Sequence, residues 1–108
     1  MAQYAFKTNA DILREIAPDV ANAFQALRRV TRDAGPIDDR TRELILLAAF
    51  VAADIESGFI IHCKIARTYG ATLEECRHAA MLGISATQGL SRTVDALAWV
   101  EAAWAQTE

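Results

Sequence analysis

The chain is short of the residues that interrupt helices: five glycines and two prolines in 108 residues. Inside a helix glycine costs about 1 kcal/mol and proline about 3 kcal/mol relative to alanine, so their scarcity leaves long stretches free to remain helical. Cysteine is scarce too. Cys63 and Cys76 are the only pair, and their spacing matches neither a disulfide framework nor a zinc module, so in a reducing compartment both stay thiols. Basic charge is in deficit, with 11 Lys and Arg against 14 Asp and Glu and a net charge of −3. Arg28-Arg29 is the only basic pair, which excludes the electrostatic footprint of a nucleic-acid binder. No apolar run reaches the ~18 residues of a membrane span. The opening "MAQYAFKTNADILREIAPDV" has no basic region followed by an apolar run, so no signal peptide is expected. The expectation is a cytoplasmic protein with no membrane and no nucleic-acid partner.

What is abundant is alanine, leucine and isoleucine. The hydrophobic share is 53%, above the roughly 45–50% of ordinary soluble domains. Such residues lose little rotamer freedom in a helix, and the length suits one core, so the sequence predicts a single all-α domain over residues 1–108. A small domain has much surface for its volume, and the apolar excess therefore predicts a homo-oligomer.

The helix signals are regular. Asn9 precedes "ADILREIA" as a candidate N-cap, Pro18 suits the first turn of "PDVANAFQALRRVTRDA", and Gly35-Pro36 ends that helix. Asp38 caps "DRTRELILLAAFVAAD", whose Ile45, Leu46, Leu47, Phe50 and Val51 go around the circumference and predict burial on all sides. Ser57-Gly58 reads as a break before "FIIHCKIARTY", which Gly70 closes. Thr72 and Glu75 form a capping box opening "TLEECRHAAMLGISATQ". After Gly89, Ser91 reads as the cap of "RTVDALAWVEAAWAQ". On that helix Leu97, Val100 and Trp104 make one stripe and Trp99, Ala102 and Ala103 another, suggesting one face for the core and one for a partner subunit.

One side chain is out of place. At ~100° per residue, His62 falls in the middle of an apolar arc with Phe59, Ile61, Cys63, Ile65 and Ala66. Its neighbours one turn away, Gly58 and Ala66, are the smallest on that arc, leaving space for a ligand or for a closely packed helix. A core histidine satisfied by a carboxylate is the simpler reading. Glu43 is the candidate partner, because it shares a face with Leu46, Leu47 and Phe50 and would be costly there as an unpaired anion; Asp54 lies on the same side. In an unbroken helix the 19-residue separation would span roughly 28 Å, so the two meet only if the chain bends around Glu56 to Gly58. The alternative for Glu43 is a first-turn glutamate paired with Arg40.

Three segments carry a likeness to known proteins: "APDVANAFQALRRVTRDAGPIDDRTRELILLAAFVAA", "HCKIARTYGATLEECRHAA" and "GLSRTVDALAWVEAAW". Over roughly residues 12 to 104 the chain resembles the carboxymuconolactone decarboxylase and alkylhydroperoxidase D (AhpD-like) superfamily, above all in "RTRELILLA" and in the spacing from His62 to Gly70-Ala-Thr. The resemblance implies an AhpD-like all-α protomer of five or six helices, assembled as a trimer or hexamer. It implies that Glu43 and His62 occupy proton-relay positions. The two redox cysteines of the peroxidase branch fall on Ile55 and Gly58, so "IESG" supplies neither thiol. The decarboxylase branch keeps the histidine without the cysteines, and the chain resembles it in carrying Glu56 six residues earlier, although Gly58 stands where that branch tends to have an acid.

These observations lead to an expected function: cofactor-independent acid/base chemistry on a small carboxylated or lactone substrate, with His62 transferring protons, Glu43 orienting it, and Glu56 as a second acid near the pocket mouth. A thiol peroxidase using Cys63 is the alternative enzyme, and a non-catalytic oligomeric binding or accessory protein the alternative to an enzyme. No phosphate-cradling glycine loop, nucleophile elbow or dinucleotide fingerprint is present, and no cofactor is expected. A zinc site from His62, Cys63, Cys76 and His78 fails on geometry, because adjacent residues diverge by ~100° and i, i+2 pairs by ~200° on a helix.

Overall fold

The computed structural model describes residues 8–106. Residues 1–7, the start of the segment read above for a signal peptide, lie outside the described residues. The described chain is all-α: α1 (Asn9–Ile16), α2 (Pro18–Arg32), α3 (Asp39–Ala52), α4 (Glu56–Thr68), α5 (Leu73–Thr87) and α6 (Leu90–Ala105). None of these helices is long and apolar enough to cross a membrane. They fall into two compact units, one up to Pro36 and one from Ile37.

In the first unit α1 packs on α2. Thr8 rather than Asn9 caps α1, in a reciprocal capping box with Asp11. Pro18 opens α2, where its missing N–H costs no helical bond. Ala21 is the buried residue of α2, while Val20, Phe24 and Leu27, spaced to form one stripe, are exposed and line a shallow apolar groove with Asp19 and Ala23.

The second unit holds the larger core. Leu47 and Val51 of α3, Phe59 of α4, Ile84 of α5 and Val100 of α6 are fully or almost fully buried; each such side chain contributes about 1.5–3 kcal/mol relative to exposure. The contact of α3 with α5 is the tightest. Gly83 permits it, because a Cβ there would lie 2.5 Å from the carbonyl oxygen of Ala48 and 2.7 Å from Val51 Cγ2. Ile45 remains half exposed, so α3 is not buried on all sides, contrary to the expectation from its apolar circumference.

The α3–α4 turn differs from the sequence reading in a way that matters for the site. Asp54 adopts φ 60°, the left-handed conformation, and ends α3 in a Schellman arrangement: Ile55 N–H donates to Phe50 O and Asp54 N–H to Val51 O. The helix therefore restarts at Glu56, and Ser57-Gly58 is helical rather than a break. An ion pair from Arg92 of α6 holds Asp54. Gly70 behaves as predicted, closing α4 with φ 94° and the same hydrogen-bond pattern from Gly70 to Arg67 and from Ala71 to Ala66. The Thr72–Glu75 capping box of α5 forms in both directions. Gly89, not Ser91, is the N-cap of α6.

On α6 the core face comprises Ala96, Val100 and Ala103, with both tryptophans packed against it; Trp99 meets Phe59 at 5.7 Å between ring centroids. The second apolar face expected at Trp99, Ala102 and Ala103 thus turns Trp99 and Ala103 to the core, and the large exposed apolar residues of this helix are Leu90 and Val94 nearer its start.

Candidate active site

The site is built on α3 and α4. The Asp38 carboxylate accepts from Thr41 N–H at 3.3 Å and fixes the start of α3. From that start, Glu43, Leu47 and Val51 recur every four residues along the buried face. On α4 the buried residues are Phe59, His62, Cys63 and Ala66. Counted from Asp54, Glu43 lies eleven residues back and His62 eight ahead, so in two antiparallel helices they are offset by about 4–5 Å. A glutamate side chain spans that offset. Glu43 Oε1 and His62 Nδ1 are 2.6 Å apart, with 2% and 6% of each residue exposed.

The second carboxylate oxygen has its own donor. Arg42 reaches Glu43 Oε2 with Nε at 3.2 Å and Nη2 at 3.1 Å, while its Nη1 donates to Asp39 at 2.5 Å. The guanidinium also lies 5.7 Å from the centre of the Tyr69 ring. Burial alone would raise the pKa of Glu43, but hydrogen bonding to His62, the charge of His62 and the Arg42 guanidinium together outweigh it and hold the carboxyl below the usual glutamate value. An ionised carboxylate only accepts, so Nδ1 carries the proton in this bond.

Phe50 forms one wall. Its ring centroid is 5.2 Å from that of His62, at 32°, and a Cβ at Gly58 would come within 2.7 Å of Phe50 Cε1. The space that the sequence leaves at Gly58 is therefore taken by a helix packed close, through Phe50.

The other predicted residues lie elsewhere. Glu56 is exposed in the first turn of α4, about 9 Å along the axis from His62, where its charge suits the helix dipole. Arg40 pairs with Glu75 of α5 rather than with Glu43. Cys63 is fully buried in one core cluster with Cys76, and His78 is exposed. Among the described residues no group of three or more His, Cys, Asp or Glu side chains converges on a point that could hold a metal ion. Sequence reasoning missed Arg42 and Phe50. Arg42 is adjacent to Glu43, and neighbours in a helix do not ordinarily face each other; only the length of the arginine side chain lets it wrap back.

No curated protein and no solved structure matches the chain. The family model described as the carboxymuconolactone decarboxylase family matches residues 18–102, a stretch that contains Arg42, Glu43 and His62 together with all of α2 to α5. On that match, over most of its length, the chain belongs to the carboxymuconolactone decarboxylase family.

Proposed function

We propose that this protein is a cofactor-independent acid/base enzyme, decarboxylating or isomerising a small carboxylated lactone or a related intermediate of aromatic breakdown. The observation that carries the reading is the buried 2.6 Å bond between His62 Nδ1 and an ionised Glu43, within a chain of the carboxymuconolactone decarboxylase family. Glu43 fixes the tautomer of His62, and the bonds from His62 and Arg42 keep Glu43 ionised. In a lactone of this class, heterolysis of the carbon–carboxylate bond releases carbon dioxide and leaves an electron pair delocalised toward the lactone carbonyl. His62 Nε2, after taking up a proton from water, delivers it to carbon and returns to the neutral Nδ1–H tautomer, and the double bond shifts. Glu56, exposed at the start of α4, serves at most at the entrance. The exposed apolar residues of α2 and α6 support assembly as a homo-oligomer, a trimer or hexamer, in the cytoplasm.

One observation favours a second reading. Phe50 fills the Gly58 side of the imidazole, as in a non-catalytic binding or accessory protein that keeps the scaffold. A peroxidase working through Cys63 finds less support, because that thiol is fully buried. A screen of carboxylated unsaturated lactones, followed by carbon dioxide release and loss of ultraviolet absorbance, separates the readings. Turnover that falls to background in His62→Ala with the helical circular dichroism intact is the expected result. Equal turnover in that variant would sink the acid/base role, and wild-type binding without turnover would favour the accessory reading.

A further inference from the structure

Exposed apolar residues occur on several helices of this chain, but on α2 they line up. Val20, Ala23, Phe24 and Leu27 are spaced i, i+3, i+4 and i+7, the four positions that form one hole for a facing helix. With Asp19 they line a groove of about 350 Å³, and Val30 extends the stripe toward the end of the helix. Val20 is 47% exposed, Phe24 54%, Leu27 61% and Val30 66%, so the stripe offers roughly 400 Å² of apolar side chain. A stable dimer takes about 800 Å² from each partner, a little over half of it apolar. The stripe supplies most of that apolar share.

On a helical wheel Val20 and Leu27 run along the middle of the stripe, with Ala23 and Phe24 about 50° to either side. No charged residue falls between them, and Arg29 is on the opposite side of the helix. A middle without polar atoms fits an equally apolar surface, and the stripe is itself one. Asp19, at the edge of the groove, disfavours the other common cover of such a helix, an anionic lipid surface. We infer that α2 is an interface between two copies of this chain, packed antiparallel about a twofold axis that passes between Ala23 and Phe24. That axis sets the two Phe24 rings side by side, lets the helices approach across the two Ala23 methyl groups, and lays Val20 of each copy on Leu27 of the other. The inference rests on the homo-oligomer proposed above and adds its surface and symmetry. A twofold contact requires an even number of chains, so of the trimer and the hexamer it selects the hexamer.

The full-length protein is sized by light scattering and then cross-linked through cysteines introduced on α2. Cys63 and Cys76 are fully buried, and the wild type serves as the control for them. Phe24→Asp should halve the mass of the assembly and leave the helical circular dichroism unchanged. Under mild oxidation Ala23→Cys should give a disulfide-linked dimer, and Arg29→Cys should not. Val20→Cys and Leu27→Cys should cross-link when co-expressed but neither with itself, because in the antiparallel register like positions lie about 10 Å apart along the axis. An odd-numbered assembly, a Phe24→Asp assembly of wild-type mass, or Leu27→Cys linking to itself in place of the mixed pair would overturn the α2 contact and leave the homo-oligomer standing. A monomeric wild type would overturn both. The cross-links decide the interface even if Phe24→Asp folds poorly.

Discussion

Glu43 and His62, nineteen residues apart in sequence, are joined by a 2.6 Å bond between Oε1 and Nδ1 in which both residues are almost wholly buried. A buried pair adds little over an apolar substitute, but removing one member strands the other. Glu43→Ala should therefore cost about 3 kcal/mol in guanidinium denaturation, and Glu43→Gln, which can still accept from Nδ1, should cost less, about 1–2 kcal/mol. Nitrogen chemical shifts of the His62 ring should show Nδ1 protonated in the wild type. A Glu43→Ala loss within about 0.5 kcal/mol, the range of an ordinary surface change, would mean that the two groups are not coupled.

The same pair sets an acid limit. The Glu43 pKa is lowered on folding, by its bonds to His62 and Arg42 against the opposing effect of burial. A depressed carboxylate contributes stability that is fully present above its unfolded value, near 4.5, and is lost as pH falls through the lower folded value. Asp38, lowered by its hydrogen bond to Thr41, has the same sign. Denaturation followed from pH 6 downward should show stability falling below about pH 4.5, and less steeply in Glu43→Gln. Identical slopes in the two proteins would remove Glu43 as the cause.

Gly58 and Phe50 should behave as one unit. A methyl group at position 58 would meet the Phe50 ring at 2.7 Å, and that ring also packs on His62. Gly58→Ala should cost about 1–2 kcal/mol by overpacking, and the cost should shrink when Phe50 is also made Ala, with a coupling of at least about 0.5 kcal/mol. Four proteins and one denaturation curve for each complete the cycle. Strict additivity would contradict the close packing beside His62.

At Gly83 the obstacle is backbone. An added Cβ would lie 2.5 Å from Ala48 O and 2.9 Å from Ala48 Cα, and a carbonyl in mid-helix cannot turn aside as a side chain can. Gly83→Ala should lose about 3 kcal/mol or more despite alanine's better helix propensity. Gly35→Ala, with nothing within 4 Å of the added atom, should stay within about 0.5 kcal/mol of wild type. Equal melting temperatures for the two variants would refute the tight α3–α5 crossing.

Much of this was legible locally. Thr72 and Glu75 announce the start of α5 because both halves of a capping box lie within one turn, and Gly70 announces the end of α4 because glycine is the residue best suited to φ 94°. His62 and Glu43 stood out for another reason: a titratable group in an apolar arc is costly unless partnered, so each implied the other. Asp54 concealed the α3–α4 turn, since an aspartate in the left-handed region does glycine's work without glycine's signal. Gly58 then looked like the break, although its small size serves contact with Phe50.

The sequence by itself determined the helices, most of their ends and the two residues at the heart of the candidate site, because propensity, capping and the cost of a buried charge act over one or two turns. Tertiary structure alone decided the rest: that Arg42 and not Arg40 holds Glu43, that Phe50 walls His62, and that Cys63 and Cys76 share one buried core. Each of these depends on how far one helix slides along another, and that offset is set by a single left-handed residue and by two glycines that let backbones or rings approach closely.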